Sequence, residues 1–299
     1  MARAKRRGLE TETGGIKVQH STKTLAKSVR TLCVAATFGL AGCALNAQAL
    51  CGNSYAKAWI EQAFSDAPKR TGAFAKRVEI KTPVHVSAAT LTGARVGFSI
   101  WQGYDPQDHR AGFTDVAISN LYSHDIYGAA IKTNRKDPSI QLFLADVTIR
   151  PNWPHWISYD ATNYDGIVLD GAEAFYAQSL TITDWHADSA IDNKAAFSQM
   201  VDLTVSGPGN RPLRYWMPGP HYLVEAQIDK PGDGTLIWIR DCTTVSLRVY
   251  RSRFNGAPRL SSDQISCETG DAPEVSYLTQ DPRNTGEMHP MFRACAGRE

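Results

Sequence analysis

The sequence lacks three features that would each have decided its class. It has little net charge, with 32 Lys and Arg against 30 Asp and Glu. From Cys43 onward the balance is 24 basic against 28 acidic residues, about −4, which argues against a nucleic-acid-binding protein. It has no C-x-x-C pair and no Cys/His spacing typical of a metal site. The apolar run at residues 31–40 is too short to span a bilayer as a stable helix.

That short apolar run is instead typical of an export signal. Basic residues at positions 23, 27 and 30 precede it, and Leu40-Ala41-Gly42-Cys43 follows. This tetrad resembles the bacterial lipobox, which implies lipidation of Cys43 and a membrane anchor for a periplasmic or outer-membrane protein. Ala47-Gln48-Ala49 offers a second cleavage site that would release a secreted protein beginning at Leu50. The alternative is a short buried helix that contains Cys43 by chance. We expect residues 1–49 to be a leader.

Cysteine usage beyond the leader agrees with export. Cys51, Cys242, Cys267 and Cys295 are an even number, as is usual in an oxidising compartment. They allow three pairings, of which we favour Cys242 with Cys267 and Cys51 with Cys295.

A repeat organises the middle of the chain. The steps from Ile167 to Ile191, then to Leu213, then to Leu236 are 24, 22 and 23 residues. Each of these short strand-like cores is followed by a second, alternating run that is rich in Val, Ile, Leu and Thr. Asp, Gly, Asn and Pro separate the runs, and no segment between them has long helical periodicity. Self-similarity at this period indicates a solenoid of strands. A parallel β-helix is therefore favoured over an ordinary β-sandwich.

Two of the coils carry a family resemblance. Residues 165–170 (Asp-Gly-Ile-Val-Leu-Asp) and 188–195 (Asp-Ser-Ala-Ile-Asp-Asn-Lys-Ala) resemble coils of right-handed parallel β-helix proteins of the pectate-lyase-like group. The resemblance covers roughly residues 78–254 and implies that all-β architecture. The group includes polysaccharide lyases, glycoside hydrolases, epimerases, esterases, phage tailspikes and passive surface proteins. The hydrolase motifs Asn-Thr-Asp, Asp-Asp, Gly-His-Gly and Arg-Ile-Lys are absent here, so the resemblance leaves the activity open.

The segments outside the repeat have predicted roles. Residues 50–77 should form an N-terminal capping helix, from Asn53 as N-cap to Ala67, and a linker. We expect this helix to cover the apolar end of the solenoid at residues 78–254, although a solvent-facing linker helix is an alternative. Residues 255–299 should form a loop-rich C-terminal tail. One long coil step, 36 residues from Ile131 to Ile167, indicates an inserted loop near residues 150–159.

Strand alternation places the candidate site. If Ile131, Ile167, Ile191 and Leu213 point inward, Thr133, Leu169, Asn193 and Tyr215 do as well. Two outward columns then follow: Lys132, Val168, Asp192 and Arg214 in one, and Asn134, Asp170, Lys194 and Trp216 in the other. The inserted loop adds Trp153, His155, Trp156 and Tyr159 beside this exposed patch, and His186 is a further candidate. Aromatic rings beside charges suit a polysaccharide. The alternative is a ladder of surface salt bridges, Asp170 with Lys194 and Asp192 with Arg214, worth about 0–1 kcal/mol each.

Two chemistries fit the patch. In β-elimination, Lys194 or Arg214 would take the proton next to a uronate carboxylate, and the other base or a Ca²⁺ held by Asp170 and Asp192 would neutralise that carboxylate. In hydrolysis, Asp170 and Asp192 would be the acid/base pair, at a separation of roughly 8 Å from strand geometry. That value lies in the inverting range of about 6.5–9.5 Å. A protein that binds glycan or packs in the cell envelope without catalysis is the remaining hypothesis.

Overall fold

The computed structural model describes residues 50–101, 109–123, 125–134, 139–232 and 234–295. The predicted leader, with its lipobox and Cys43, lies outside these residues. In chain order the described elements are α1 (Gly52–Ala63), β1 (Lys69–Phe74), β2 (Val78–Ile80), β3 (Val84–Thr92), β4 (Val96–Ile100), β5 (Arg110–Ser119), β6 (Tyr127–Thr133), β7 (Gln141–Arg150), β8 (Asn163–Val168), β9 (Ala174–Ile182), β10 (Ser189–Asn193), β11 (Phe197–Ser206), β12 (Arg211–Tyr215), β13 (His221–Val224), β14 (Gln227–Asp229), β15 (Ile237–Asp241), β16 (Ser246–Tyr250), β17 (Arg253–Phe254), β18 (Ile265–Thr269) and β19 (Glu274–Tyr277). Two short 3₁₀ helices lie at Ser262–Gln264 and Pro282–Asn284.

The strands coil into a parallel β-helix. Within the described residues, eleven strands form a long sheet whose main path is β1-β3-β5-β7-β9-β11-β13-β16-β19. The other eight form a short sheet in the order β18-β15-β12-β10-β8-β6-β4-β2. Neighbouring strands in both sheets are parallel, and each coil adds one strand to each sheet. The predicted all-β solenoid is therefore confirmed, since a β-sandwich would need antiparallel pairs.

The predicted register holds through the middle coils. Ile131 pairs with Ile167, Ile167 with Ile191, and Ile191 with Leu213. All four side chains are buried, as are the other four predicted inward residues, Thr133, Leu169, Asn193 and Tyr215. The next step is different, because Leu213 pairs with Ile237 and not with Leu236. Leu236 and Ile237 are both fully buried, so their apolar character alone did not show which of them pairs with Leu213.

The solenoid is longer at both ends than the predicted span of residues 78–254. Strand β1 pairs with β3, and strands β18 and β19, in the predicted tail, pair with β15 and β16. These terminal strands are half-exposed or exposed, so they lack the apolar runs that marked the inner coils. Ile239 pairs with Cys267, next to the disulfide that holds the last coil in place.

Helix α1 is present near the predicted position, but it covers a different surface. It is N-capped by Cys51 without a side-chain hydrogen bond, so Asn53 is not the cap, and it ends at Ala63 and not at Ala67. Its contacts are with β5, β7 and β9 in the middle of the long sheet, so it does not close the open end. Ile60 and Phe64 are buried in an apolar cluster that includes Phe143.

That apolar cluster explains the position of α1. Phe143 belongs to it, whereas Leu142 and Leu144 belong to the interior core, so the cluster lies on the outer face of the long sheet. Gly112 makes room for the helix, since a Cβ there would lie 2.8 Å from Phe64 and 2.9 Å from Ile60. The outer face is apolar at this point and must be covered.

Both predicted disulfides are present. Cys51 pairs with Cys295 and Cys242 with Cys267, which indicates an oxidising, exported environment. The first bond joins the start of α1 to the C-terminal segment, which adds Met288, Met291 and Phe292 to the same outer apolar cluster. No described helix is both long enough and apolar enough to cross a bilayer.

A buried polar network links two coils inside the solenoid. Asn193 Nδ2 donates to Ser198 Oγ at 2.9 Å, and Ser198 Oγ lies 2.8 Å from Nδ1 of His221. Nε2 of His221 lies 2.8 Å from the carbonyl oxygen of Met217. Since a carbonyl only accepts, Nε2 carries the proton, Nδ1 accepts from Ser198, and the imidazole is neutral. Asn193 is thus a buried amide as predicted, and the network reaches the neighbouring coil through Ser198.

This network predicts acid lability. Burial lowers the pKa of His221 from 6.5 to about 4. The pKa of His221 is lower in the folded state than in the unfolded state, so neutral His221 stabilises the fold fully above about pH 6.5. This contribution to the free energy of unfolding, about 3 kcal/mol, is lost as the pH falls to about 4. We expect the His221→Gln variant to be less stable than wild type at pH 7.5. Between pH 7.5 and 4.5, its free energy of unfolding, measured with urea, should fall less than that of wild type. The same substitution at exposed His155 controls for loss of a histidine. Equal pH dependence in wild type and His221→Gln would contradict this account.

Candidate functional site

Charged side chains meet on the outer face of the short sheet. The first predicted column is confirmed by the pairs Lys132–Val168, Val168–Asp192 and Asp192–Arg214, and Trp238 continues it. We use the name charged cluster for Asp165, Asp170, Asp188, Asp192, Lys194 and Arg214. Three rings border this cluster, those of Tyr159, Trp216 and Trp238.

Lys194 is the centre of one half of the cluster. Its Nζ lies 2.7 Å from Asp170 Oδ1 and 2.7 Å from Asp192 Oδ2. The two carboxylate oxygens are therefore at most twice 2.7 Å apart, well within the 8 Å that strand geometry suggested, because both side chains turn toward the lysine. With an ammonium between them, they do not form the water-separated pair that an inverting hydrolase needs. Lys132 Nζ also approaches Asp170, at 3.4 Å.

Arg214 is the centre of the other half. It binds Asp188 through a 2.9 Å contact and lies 3.6 Å from Asp192. Its guanidinium carbon is 4.9 Å from the ring centroid of Trp238, 5.0 Å from Trp216 and 5.6 Å from Tyr159. Trp216 also donates through Nε1 to Asp192 Oδ1 at 2.6 Å. Arg214 therefore joins the carboxylates to the aromatic rings.

The cluster points outward as predicted, but it is covered. Asp170 and Asp192 are each only 4% exposed and Arg214 is 7% exposed, so the expected exposed patch is wrong. Alternation gives the direction of a side chain and says nothing about the ion pairs and rings that enclose it. Because these ion pairs are buried, the stabilisation of about 0–1 kcal/mol that is usual for a surface salt bridge does not apply to them. Removing one partner would leave an uncompensated charge, at a cost of about 3–5 kcal/mol.

The inserted loop has a buried anchor. Trp153 was expected at the surface, but it is 3% exposed and stacks on Tyr164 with ring centroids 4.8 Å apart. Its Nε1 donates to the backbone oxygen of Asp165 at 3.1 Å. Trp153 therefore belongs to the core and fixes the start of the loop.

The rest of the loop lies beside the cluster. Trp156 N donates to the His186 carbonyl at 2.8 Å, and the rings of His155 and His186 meet edge to face at 4.5 Å. At the other end of the loop, Arg211 donates to the hydroxyl of Tyr159 at 2.7 Å. The loop thus brings Tyr159 to the cluster, whereas the two histidines contact each other at its base.

Asp165 and Asp188 were missed by the sequence analysis. Asp188 accepts from Asn210 Nδ2 at 2.8 Å in addition to Arg214. Alternation from Ile167 would turn Asp165 inward, but the strand pairs skip Gly166, whose Cβ would lie 2.4 Å from the Ala190 carbonyl oxygen. Alternation is therefore unreliable at that position. An acidic residue just before the strand core in both of the quoted coils was the available signal.

Asp165 is a buried member of the cluster with a raised pKa. Burial raises its pKa well above the usual range, and the negative charges of Asp192 and Asp188 raise it further. Its Oδ1 accepts a hydrogen bond from the backbone N–H of Ser189 at 3.1 Å. A buried carboxyl group with a raised pKa inside a charged site is suited to act as a general acid.

The two basic residues of the cluster, unlike Asp165, are stabilised in their charged form. Burial disfavours the charged form of Lys194, but the attraction of Asp192 and Asp170 outweighs it and raises the pKa. The same balance, with Asp192 and Asp188 as partners, raises the pKa of Arg214. Both side chains stay protonated near neutral pH, which does not suit the role of a base in β-elimination. A Ca²⁺ at Asp170 and Asp192 would have to displace Lys194.

Tyr127 is a further donor at the edge of the cluster. Its hydroxyl is buried and has no hydrogen-bond partner among the described residues, and Lys132 Nζ lies 4.5 Å from its ring centroid. Burial raises its pKa, and Asp165, Asp170 and Asp192 raise it further. The hydroxyl group therefore stays protonated and can donate a hydrogen bond to a ligand.

Searches against protein-family models, curated proteins and solved structures found no match for this chain.

Proposed function

We propose that this protein binds a polysaccharide along the outer face of the short sheet and hydrolyses it at the charged cluster, with Asp165 as general acid. The observation that carries the proposal is the buried carboxyl group of Asp165, whose pKa is raised by burial and by Asp192 and Asp188, beside cations and aromatic rings. The resemblance of two coils to pectate-lyase-like β-helix proteins supports the choice of a glycan as ligand.

Binding is supported by the groups that remain reachable. The side chains of Lys132 and Lys194 are 28% and 20% exposed. Trp216 is half-buried, and the ring of Tyr159 is exposed on the loop. Aromatic faces stack on pyranose rings, and ammonium groups bind hydroxyls or uronate carboxylates. Four cationic side chains, those of Lys132, Lys194, Arg211 and Arg214, lie at or beside the cluster, and the raised pKa values of Asp165 and Asp188 disfavour their negative charges, so an acidic glycan is the favoured class.

Hydrolysis is supported by the pair Asp165 and Asp192. Protonated Asp165 would deliver a proton to the glycosidic oxygen, and Asp192 would supply the second carboxylate that glycoside hydrolysis requires. Asp165 is 2% exposed, so a substrate reaches it only when the Tyr159 end of the loop moves away. The bond between Arg211 and Tyr159 lies at the part of the loop that would move.

A second candidate is glycan binding without catalysis. It is favoured by the saturation of Lys194 and Arg214, each of which already contacts two carboxylates. In that case the cluster would only hold the aromatic rings in position. Cleavage and binding must therefore be measured separately, because only the first candidate function predicts cleavage of the bound glycan.

The cleavage prediction uses an isosteric change. Asp165→Asn removes the proton to be transferred, so release of reducing ends from a panel of uronate-containing and neutral glycans should fall by about 10²- to 10⁴-fold. Asp160→Asn, on the exposed part of the loop, is the matched control and should retain wild-type activity. The raised pKa means that ionisation of Asp165 destabilises the fold as the pH rises, so Asp165→Asn should also melt higher than wild type at pH 7. Wild-type turnover by Asp165→Asn would exclude this acid, and binding without any product from wild type would favour the second candidate.

The binding prediction concerns Trp216. Loss of a central aromatic anchor should weaken glycan affinity by about 1–3 kcal/mol in Trp216→Ala, measured by calorimetry on an acidic oligosaccharide. Trp216→Phe retains a stacking face and loses only the bond to Asp192, so it should bind within a few-fold of wild type. Tyr122→Ala removes an exposed aromatic ring outside the cluster and serves as the control. Equal affinities for Trp216→Ala and wild type would place the glycan elsewhere.

The finer location is part of the same proposal. We propose lipidation at Cys43, with release after Ala49 as the alternative, because the lipobox resemblance and the two disulfides agree on export. Cys43→Ser should abolish lipid labelling and shift the protein from the membrane fraction to the periplasm or medium. An N-terminus at Leu50 in the wild-type protein would contradict lipidation.

A further inference from the structure

A column of left-handed residues runs along the bend of the long sheet. At the same position of seven successive coils the residue has a positive φ between 45° and 60°: Ala88, Asp115, Asp146, Ser179, Asp202, Glu225 and Arg251. The strand registers place these residues side by side, since the pairs that flank them are matched from coil to coil. We call this column the acidic ladder, because four of its seven members, Asp115, Asp146, Asp202 and Glu225, carry carboxylates. Successive coils are about 4.8 Å apart, and Ser179 separates Asp146 from Asp202.

Most carboxylates of the ladder have a cation supplied by the terminal segments. Lys57 of α1 binds Asp115 at 2.5 Å and Asp146 at 2.9 Å, and Arg283 of the C-terminal segment binds Glu225 at 2.8 Å. Asp202 differs, because among the described residues it makes no ion pair. It accepts a hydrogen bond from Ser179 Oγ at 2.7 Å instead.

Asp202 lines a cavity of ≈ 340 Å³. The cavity lies between the ladder, the start of α1 and the disulfide of Cys51 with Cys295. Arg283 reaches its wall, but this guanidinium is committed to Glu225 and to Asp281. The cavity is thus next to a carboxylate whose charge no described side chain compensates.

Two residues that line this cavity, Gln178 and Asn53, each have a buried side-chain oxygen without a hydrogen-bond partner among the described residues. Gln178 is 3% exposed, and its Oε1 has no hydrogen bond among the described residues. The orientation of its amide follows from the neighbouring bonds: Ser179 gives its proton to Asp202, so it must accept from Gln178 Nε2, at 3.4 Å. Asn53 Oδ1 likewise has no hydrogen-bond partner among the described residues.

We propose that this cavity binds a hard divalent cation of the Ca²⁺ class. The Asp202 carboxylate, Gln178 Oε1 and Asn53 Oδ1 are acceptors only, and carboxylate and amide oxygens are the ligands that Ca²⁺ prefers. Water would complete the six to eight oxygens that Ca²⁺ requires. With one full carboxylate, the site belongs to the weak class, with a Kd of about 10⁻⁴–10⁻³ M. The ion would join α1 to the middle of the solenoid, beside the disulfide that joins α1 to the C-terminal segment.

The test is a Ca²⁺ titration of the chelator-treated, disulfide-intact protein. Calorimetry at constant ionic strength should show one site per chain with the Kd given above, and the melting temperature should rise with Ca²⁺ concentration as mass action requires. Asp202→Asn should weaken binding by about tenfold or more. Asn tolerates the left-handed conformation and Asp202 is exposed, so this variant should fold. Gln178→Met, which retains volume, should weaken binding as well.

The control is Asp115→Asn, which removes a carboxylate of the same ladder that Lys57 already neutralises. It should bind Ca²⁺ within about twofold of wild type. The proposal is overturned if millimolar Ca²⁺ gives neither heat nor a higher melting temperature, which would mean that water alone fills the cavity. It is also overturned if Asp115→Asn weakens binding as much as Asp202→Asn, because the ion would then respond to general surface charge.

Discussion

Parallel pairing at a fixed register is the constraint on which this structure depends. It holds equivalent residues of successive coils about 4.8 Å apart, so any side chain type that recurs in the repeat becomes a column. Ile131, Ile167, Ile191 and Leu213 form an apolar column inside. The same rule stacks charges outside, as the charged cluster on the short sheet and as the acidic ladder on the long sheet. A column of charges is stable only when its members alternate in sign or receive partners from elsewhere.

The two charged columns solve this problem differently. On the short sheet, cations come from the neighbouring coils themselves, since Lys194 and Arg214 each contact two carboxylates. On the long sheet, they come from the terminal segments, through Lys57 and Arg283. In each column one carboxyl group is left over. Asp165 is buried with its pKa raised, and Asp202 faces the cavity without an ion pair among the described residues. We infer function at these two positions because, among the described residues, each carboxyl group has a hydrogen-bond donor but no ion pair.

The sequence predicted the coil period and the inward and outward columns, because those features follow from spacing. The disulfide pairing that we favoured among three possible ones is also the one in the structure. It did not predict how the columns are covered. Trp153 was assigned to a binding surface because aromatic residues in an inserted loop are often exposed, yet its ring stacks on Tyr164. Helix α1 was assigned to the open end of the solenoid. The run around Phe143 is apolar on both faces of its strand, so the sequence does not show that its outer face needs to be covered by a helix. Asp165 was missed because strict alternation fails beside Gly166, where the neighbouring backbone approaches too closely for a side chain.

We infer that the raised pKa of Asp165 prepares this carboxyl group to act as a general acid, and titration of the group measures that pKa. Carbon-detected NMR of aspartate-labelled protein, with Asp165→Asn used to assign the resonance, measures the pKa of this carboxyl group without any knowledge of the glycan. We expect a pKa well above the ordinary 3.8, and a lower pKa when Asp188 is replaced by Asn, since one of the charges that raise it is then removed. An ordinary value, unaffected by Asp188→Asn, would contradict the account and leave the charged cluster as a structural ion-pair network.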